Sequence, residues 1–180
     1  MLYTYIPQIK SGVKFKVFHS AKAIFFAPGN PSGQQGMRQE MIRANPKWRN
    51  GDGRFDCIFV STDQGEPGMK GLTVARVRAF FSFTLKSRLF ECALVHWFEK
   101  AENAPDRITG LWKVGPEYRE DGTQNLSVIH VDAIFRAAHL MPVYTSHFTP
   151  ATYAYTETLD NYSEFFVNRY IDHHAHEFIF

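Results

Sequence analysis

The chain has 180 residues, a formal charge of +2 and a 44% apolar fraction, which suits one packed domain and excludes a disordered acidic or basic tail. No apolar run is long enough for a membrane span, the first residues lack a secretory pattern, and two cysteines are too few for a disulfide framework or a four-ligand zinc site. The expectation is therefore a soluble, intracellular protein with Cys57 and Cys92 as reduced core thiols.

The charge is unevenly placed. Residues 1–54 hold nine basic and two acidic side chains, a local charge of +7, which leaves −5 for the rest. With 17 Phe residues the composition leans toward β structure, because aromatic side chains fit a pleated surface.

In chain order, Val13, Phe15 and Val17 alternate with lysines and predict a half-buried strand, with Ile24 to Ala27 as its candidate hairpin partner. Pro28 to Gly33 predicts a loop, and Met37 to Ile42 a short helical stretch ended by Asn45-Pro46. A turn at Asn50 to Gly53 leads to an apolar strand from Phe55 to Val60, and Asp63 to Gly71 is a loop.

The strongest prediction is the pair Val74 to Phe83 and Glu91 to Phe98, a long hairpin connected through Lys86-Ser87-Arg88. Ala75, Val77, Ala79, Phe81 and Phe83 are placed on one of its faces, with Arg76 and Arg78 on the other. Leu111 to Val114 and Val128 to Val131 are shorter strands. Asp132 is the candidate N-cap of one or two helical turns through Ala138, and Tyr162, Phe165, Phe166 and Tyr170 recur at helical spacing, predicting a C-terminal helix.

Chemical motifs are sparse. There is no GxSxG elbow and no GK[ST] phosphate loop, and Gly51 and Gly53 precede a strand where a dinucleotide-binding loop would follow one. No catalytic residue and no cofactor is expected. Three constellations remain. Arg38, Arg43, Lys47, Trp48, Arg49 and Arg54 place cations beside an aromatic ring, a composition suited to phosphates and stacked bases. Trp97, Phe98 and Trp112, with Glu99, could wall an aromatic cage for a methylated lysine. His173, His176 and Glu177, with His174 between them, could ligate a divalent ion from one helical face, although HExxH is absent and a hydrated helix end is the plainer reading.

Read together, the segments GMRQEMIRANPKWRNGDGRFDCIFV, GLTVARVRAFFSF, CALVHWFEK, TGLWKV, SVIHVDAIFRAAHLMPVY and FFVNRYIDHHAHE resemble the C-terminal region of fungal Plavaka-type transposase-like proteins, in the group related to Kyakuja, Dileera and Zisupton elements. The resemblance runs from about Tyr5 to Glu177 and implies a catalytic domain upstream, outside this chain. The internal pattern from Ala75 through Val143 also resembles a bromo-adjacent homology domain, with Leu111 to Val114 in place of that family's longer acidic strand. That second resemblance implies a small twisted β-barrel with short helices, used to bind nucleosomes, histone tails and other proteins. The expected organisation is a single domain: a basic half-barrel with loops over residues 1–54, a barrel core over 55–145 and a helical extension over 146–180. The expected function is a nuclear, non-catalytic interaction module with a protein or chromatin partner, no membrane and no small-molecule cofactor. The alternative is sequence-independent DNA binding through the basic half.

Overall fold

The computed structural model describes residues 12–29, 34–144 and 154–179. The fold is mainly β, with a nearly closed barrel-like sheet and a few short helices.

The predicted long hairpin forms the centre. Strands β1 (Phe15–Phe18), β2 (Ser20–Phe26), β3 (Met37–Asn45), β4 (Arg54–Phe55) and β5 (Cys57–Ser61) lead into β6 (Leu72–Leu85) and β7 (Arg88–Lys100). β6 and β7 pair antiparallel from Val74 opposite Phe98 to Leu85 opposite Arg88. Lys86 and Ser87 make the two-residue turn, with φ of 47° and 63°. Both angles are left-handed, which matches the turn twist to the twist of the strands.

A register shift between Val77 and Ala79 interrupts the pairing. An extra residue in one strand reverses which side chains face inward beyond it. Ala75 and Val77 therefore share a cluster with Phe80, whereas Phe81 and Phe83 pack with Phe90 and Cys92. The expected single face running from Ala75 to Phe83 is divided at that bulge.

The remaining elements are β8 (Lys113–Pro116), β9 (Leu126–His130), β10 (Ile134–Ala138), β11 (Leu140–Pro142), α1 (Thr158–Asn161), β12 (Phe165–Val167) and α2 (His173–Phe178). The barrel sheet runs β10-β5-β6-β7-β8-β12-β11, with β1 on β6 and β9 on β7. Its two end strands, β10 and β11, are separated in the chain by His139 alone, so the chain itself brings the ends together. The interior is filled from β5 to β8, β10 and β12, chiefly by Phe59, Val74, Phe98, Trp112, Val114 and Phe165, and α2 adds Ala175.

A second sheet, β2-β3-β4, lies against the barrel wall. Its inward side chains, Ile42 and Ala44, pack on Ile58, Val60, Ala75, Val77 and Val95.

Four expectations are corrected. Residues Met37 to Ile42 are strand, not helix, because β3 pairs with β2 along its length from Ser20↔Arg43 to Phe26↔Met37. β1 takes β6 as its partner, not the segment from Ile24. Val131 to Ala133 is a single 3-10 turn capped by the His130 side chain, and Ile134 onward continues as β10. Phe165 and Phe166 lie on β12, which pairs with β8 and β11, and the C-terminal helix is confined to the residues after Asp172. The 30–33 part of the predicted Pro28 to Gly33 loop falls outside the described residues.

Candidate interaction surface

Strand alternation sorts the small sheet into two faces. Ala21, Ala23 and Phe25 on β2, and Arg38, Glu40, Ile42 and Ala44 on β3, face the barrel, so the opposite parity faces outward. That outward set includes Ile24, Phe26, Met37 and Met41, which are 57%, 61%, 43% and 42% exposed. Phe26 sits opposite Met37, Ile24 opposite Gln39 and Lys22 opposite Met41, so the four apolar side chains form one patch.

The same face becomes cationic toward the β3–β4 turn. The Gly51 amide donates to the Trp48 carbonyl at 2.9 Å, and the Trp48 amide donates to the Asp52 carbonyl at 3.2 Å. Arg49 and Asn50 hold φ values of 50° and 64°, so this is a second left-handed turn. Around the half-buried Trp48 ring stand the guanidinium groups of Arg43, Arg49 and Arg54, at 4.6, 5.5 and 5.4 Å. Attraction between a cation and an aromatic face holds these groups in place. Arg54 also donates to Asp56 at 2.8 Å, and the Arg43 amide donates to the same carboxylate at 2.9 Å.

The six predicted nucleic-acid candidates are thus divided. Arg43, Trp48, Arg49 and Arg54 converge, and Lys47 is exposed in the turn beside them. Arg38 lies on the opposite face of β3, lining a cleft of about 620 Å³ with Glu40, Arg136 and Asp172. With three guanidinium groups already against the indole, a ligand at this turn meets cations before it meets the ring.

The four cage candidates do not converge. Trp97 and Phe98 are consecutive strand residues and point to opposite sides of β7. Phe98 and Trp112 are buried in the barrel interior, whereas Trp97 packs on the cluster beneath the small sheet. Glu99 is exposed, and the cation over the Trp112 ring is the chain's own Lys100, at 5.6 Å.

On α2, His173 Nδ1 lies 3.0 Å from Glu177 Oε1. His176 turns instead toward Tyr170, with ring centroids 5.8 Å apart. No group of three His, Cys, Asp or Glu side chains converges among the described residues.

The burial of two arginines, Arg136 and Arg76, was not expected from the sequence. Arg136, 3% exposed, pairs with both Asp172 oxygens at 3.0 and 2.6 Å, reaches Glu40 at 3.3 Å and lies 3.1 Å from His174 Nδ1. Its guanidinium stacks 4.6 Å from the Phe25 ring, which in turn stacks on His174. Burial raises the Asp172 carboxyl, but the hydrogen bonds from Arg136 and the Ala175 amide, with the Arg136 charge, outweigh it and hold the group at about 2. Burial, and then the Arg136 charge, lower the His174 pKa. Arg76 pairs with Asp160 at 2.6 and 3.1 Å. These partners lie 36 and 84 residues apart, so only the hydrophobic setting of each arginine within a strand could have drawn notice.

Both cysteines are free and buried, and burial pushes the Cys57 thiol up to about 12, far from a reactive thiolate. No helix among the described residues is long and apolar enough to cross a membrane. The chain matches no protein-family model, no curated protein and no solved structure.

Proposed function

We propose that this chain is a non-catalytic interaction module that binds a protein or chromatin partner through the outward face of β2, β3 and β4, and that it belongs to a transposase-derived protein as the sequence resemblance implies. The observation that carries this reading is the coexistence on one face of four exposed apolar side chains, Ile24, Phe26, Met37 and Met41, with the three arginines gathered on Trp48. Exposed apolar patches rimmed by polar groups mark association surfaces. Aromatic, Met and Arg side chains are the types enriched in them.

Direct DNA binding is the second reading, favoured by the guanidinium cluster alone. Phosphates would engage Arg43, Arg49 and Arg54 and gain little from the apolar half of the face. Fluorescence anisotropy with labelled mononucleosomes and with the same DNA free of histones separates the two. The module reading expects nucleosome binding that weakens about tenfold in the double variant I24S/M41S and severalfold in R49Q. Binding of both probes that ignores I24S/M41S and falls steeply with salt supports the DNA reading instead. No binding of either probe contradicts both.

A further inference from the structure

The small sheet sorts its charges between its two sides. Glu40 is the sole carboxylate on β2, β3 and β4, and it turns inward, where it meets Arg136 at 3.3 Å and accepts from the Ala137 amide. Lys22, Arg43 and Arg54 take outward positions, and Lys47 and Arg49 are exposed in the turn beyond them. Two carboxylates stand near this turn, and both are engaged. Asp56 accepts from Arg54 and the Arg43 amide, and Asp52 accepts from the Thr156 hydroxyl at 3.1 Å. The outward face thus keeps a surplus of positive charge, which favours an acidic partner.

The apolar half of the face is held in shape. Gly36 has a φ of 77°, and the Phe26 ring lies so close over it that a Cβ there would come within 2.7 Å of the ring. Phe26 is therefore a fixed anchor beside Met37. Lys22 pairs with Met41, so the apolar and cationic halves adjoin. At the usual strand rise and spacing, the face measures about 20 Å from Met37 to Arg43 and about 10 Å across β2 and β3. One α-helix, about 10–12 Å wide, covers it. Phosphates alone would satisfy only the cationic half, and a neutral apolar helix only the other. We propose that the occupant is an acidic amphipathic helix of a partner protein, with its apolar stripe on Ile24, Phe26, Met37 and Met41 and its carboxylates above Arg43, Arg49 and Arg54. The proposal rests on the outward face being the binding surface and adds the chemistry of what it binds.

The probe is a displayed library of random 18-residue peptides, selected on the full chain and counter-selected on I24S/M41S. Enriched peptides are expected to carry an excess of Asp and Glu with apolar residues at three- and four-residue spacing. A synthesised winner should bind about tenfold more weakly once its acids are replaced by Lys. Lys22→Glu/Arg49→Asp should reverse that preference, a gain that misfolding cannot imitate, and Asp tolerates the left-handed backbone at position 49. The proposal is overturned if the winners are neutral or basic, if the exchange to Lys changes nothing, or if phosphatidylserine vesicles bind the chain more tightly than the winner with the same loss in I24S/M41S. If no peptide is enriched while mononucleosome binding still depends on Ile24 and Met41, the acidic helix is refuted and the outward face stands as the binding surface. If nucleosome binding is absent as well, both fail.

Discussion

The Arg136 guanidinium and the Asp172 carboxylate meet in a two-pronged ion pair that fastens the start of α2 to β10, with N–O distances of 3.0 and 2.6 Å. Asp172 also caps α2 by accepting from the Ala175 amide at 2.8 Å. Removing one partner of a buried pair leaves the other charge without compensation. Asp172→Asn is expected to lower stability by about 3 kcal/mol in urea unfolding. Replacing both residues, as in Arg136→Met/Asp172→Leu, should recover part of that loss. Equal losses in the single and double variants would deny the pair its role.

The same cluster sets a pH dependence. His174 faces Arg136, Asp172, Glu177 and Arg38, and its pKa is lowered, first by burial. The folded state then holds fewer protons than the unfolded chain, so stability is full above the unfolded value of 6.5 and falls as pH drops below it. Asp172, depressed from 3.8 to about 2, adds a second loss as pH falls between those values. Its contribution is below about 2 kcal/mol after allowance for solvent screening. Melting temperatures measured from neutral to acid pH should show both declines, and His174→Gln should flatten the upper one.

The barrel assignment of the C-terminal segment can be checked at two adjacent residues. Phe165 is fully buried and packs 6.0 Å from the Phe98 ring, whereas Phe166 points the other way, with Lys113 above it at 5.6 Å. Phe165→Ala should cost about 3–5 kcal/mol and Phe166→Ala only about 1 kcal/mol in denaturant midpoints. Similar costs at both positions would contradict the strand.

Lys86 and Ser87 occupy left-handed backbone that Asn and Gly adopt more readily. The double variant Lys86→Asn/Ser87→Gly should therefore stabilise the chain by about 1 kcal/mol, seen as a rise of about 2–4 °C in Tm.

The β6–β7 hairpin was legible because two long apolar segments flank a three-residue polar connection. The bulge near Arg78 was not, since nothing local marks where a strand gains a residue. Met37 to Ile42 misled for a physical reason: Met, Arg, Gln and Glu favour helix intrinsically, yet pairing with β2 and burial of Ile42 outweigh that weak preference. The aromatic spacing after Asp160 misled similarly, because Phe165 and Val167 complete the barrel interior at strand spacing. At the candidate surface, the gathering of Arg43, Arg49 and Arg54 on Trp48 was foreshadowed by composition. Its union with Ile24, Phe26, Met37 and Met41 was hidden, because that requires knowing β3 is a strand and which parity faces out.

Binding through the outward face of the small sheet, as proposed above, is read out by hydroxyl-radical footprinting of the full chain with and without saturating mononucleosomes. Met37, Met41 and Trp48 are readily oxidised side chains on that face, and Tyr118 and Tyr170 are exposed controls elsewhere. Severalfold protection of Met37, Met41 and Trp48 is expected, with Tyr118 and Tyr170 unchanged. Undiminished oxidation of Met37 and Met41 at saturation would contradict it.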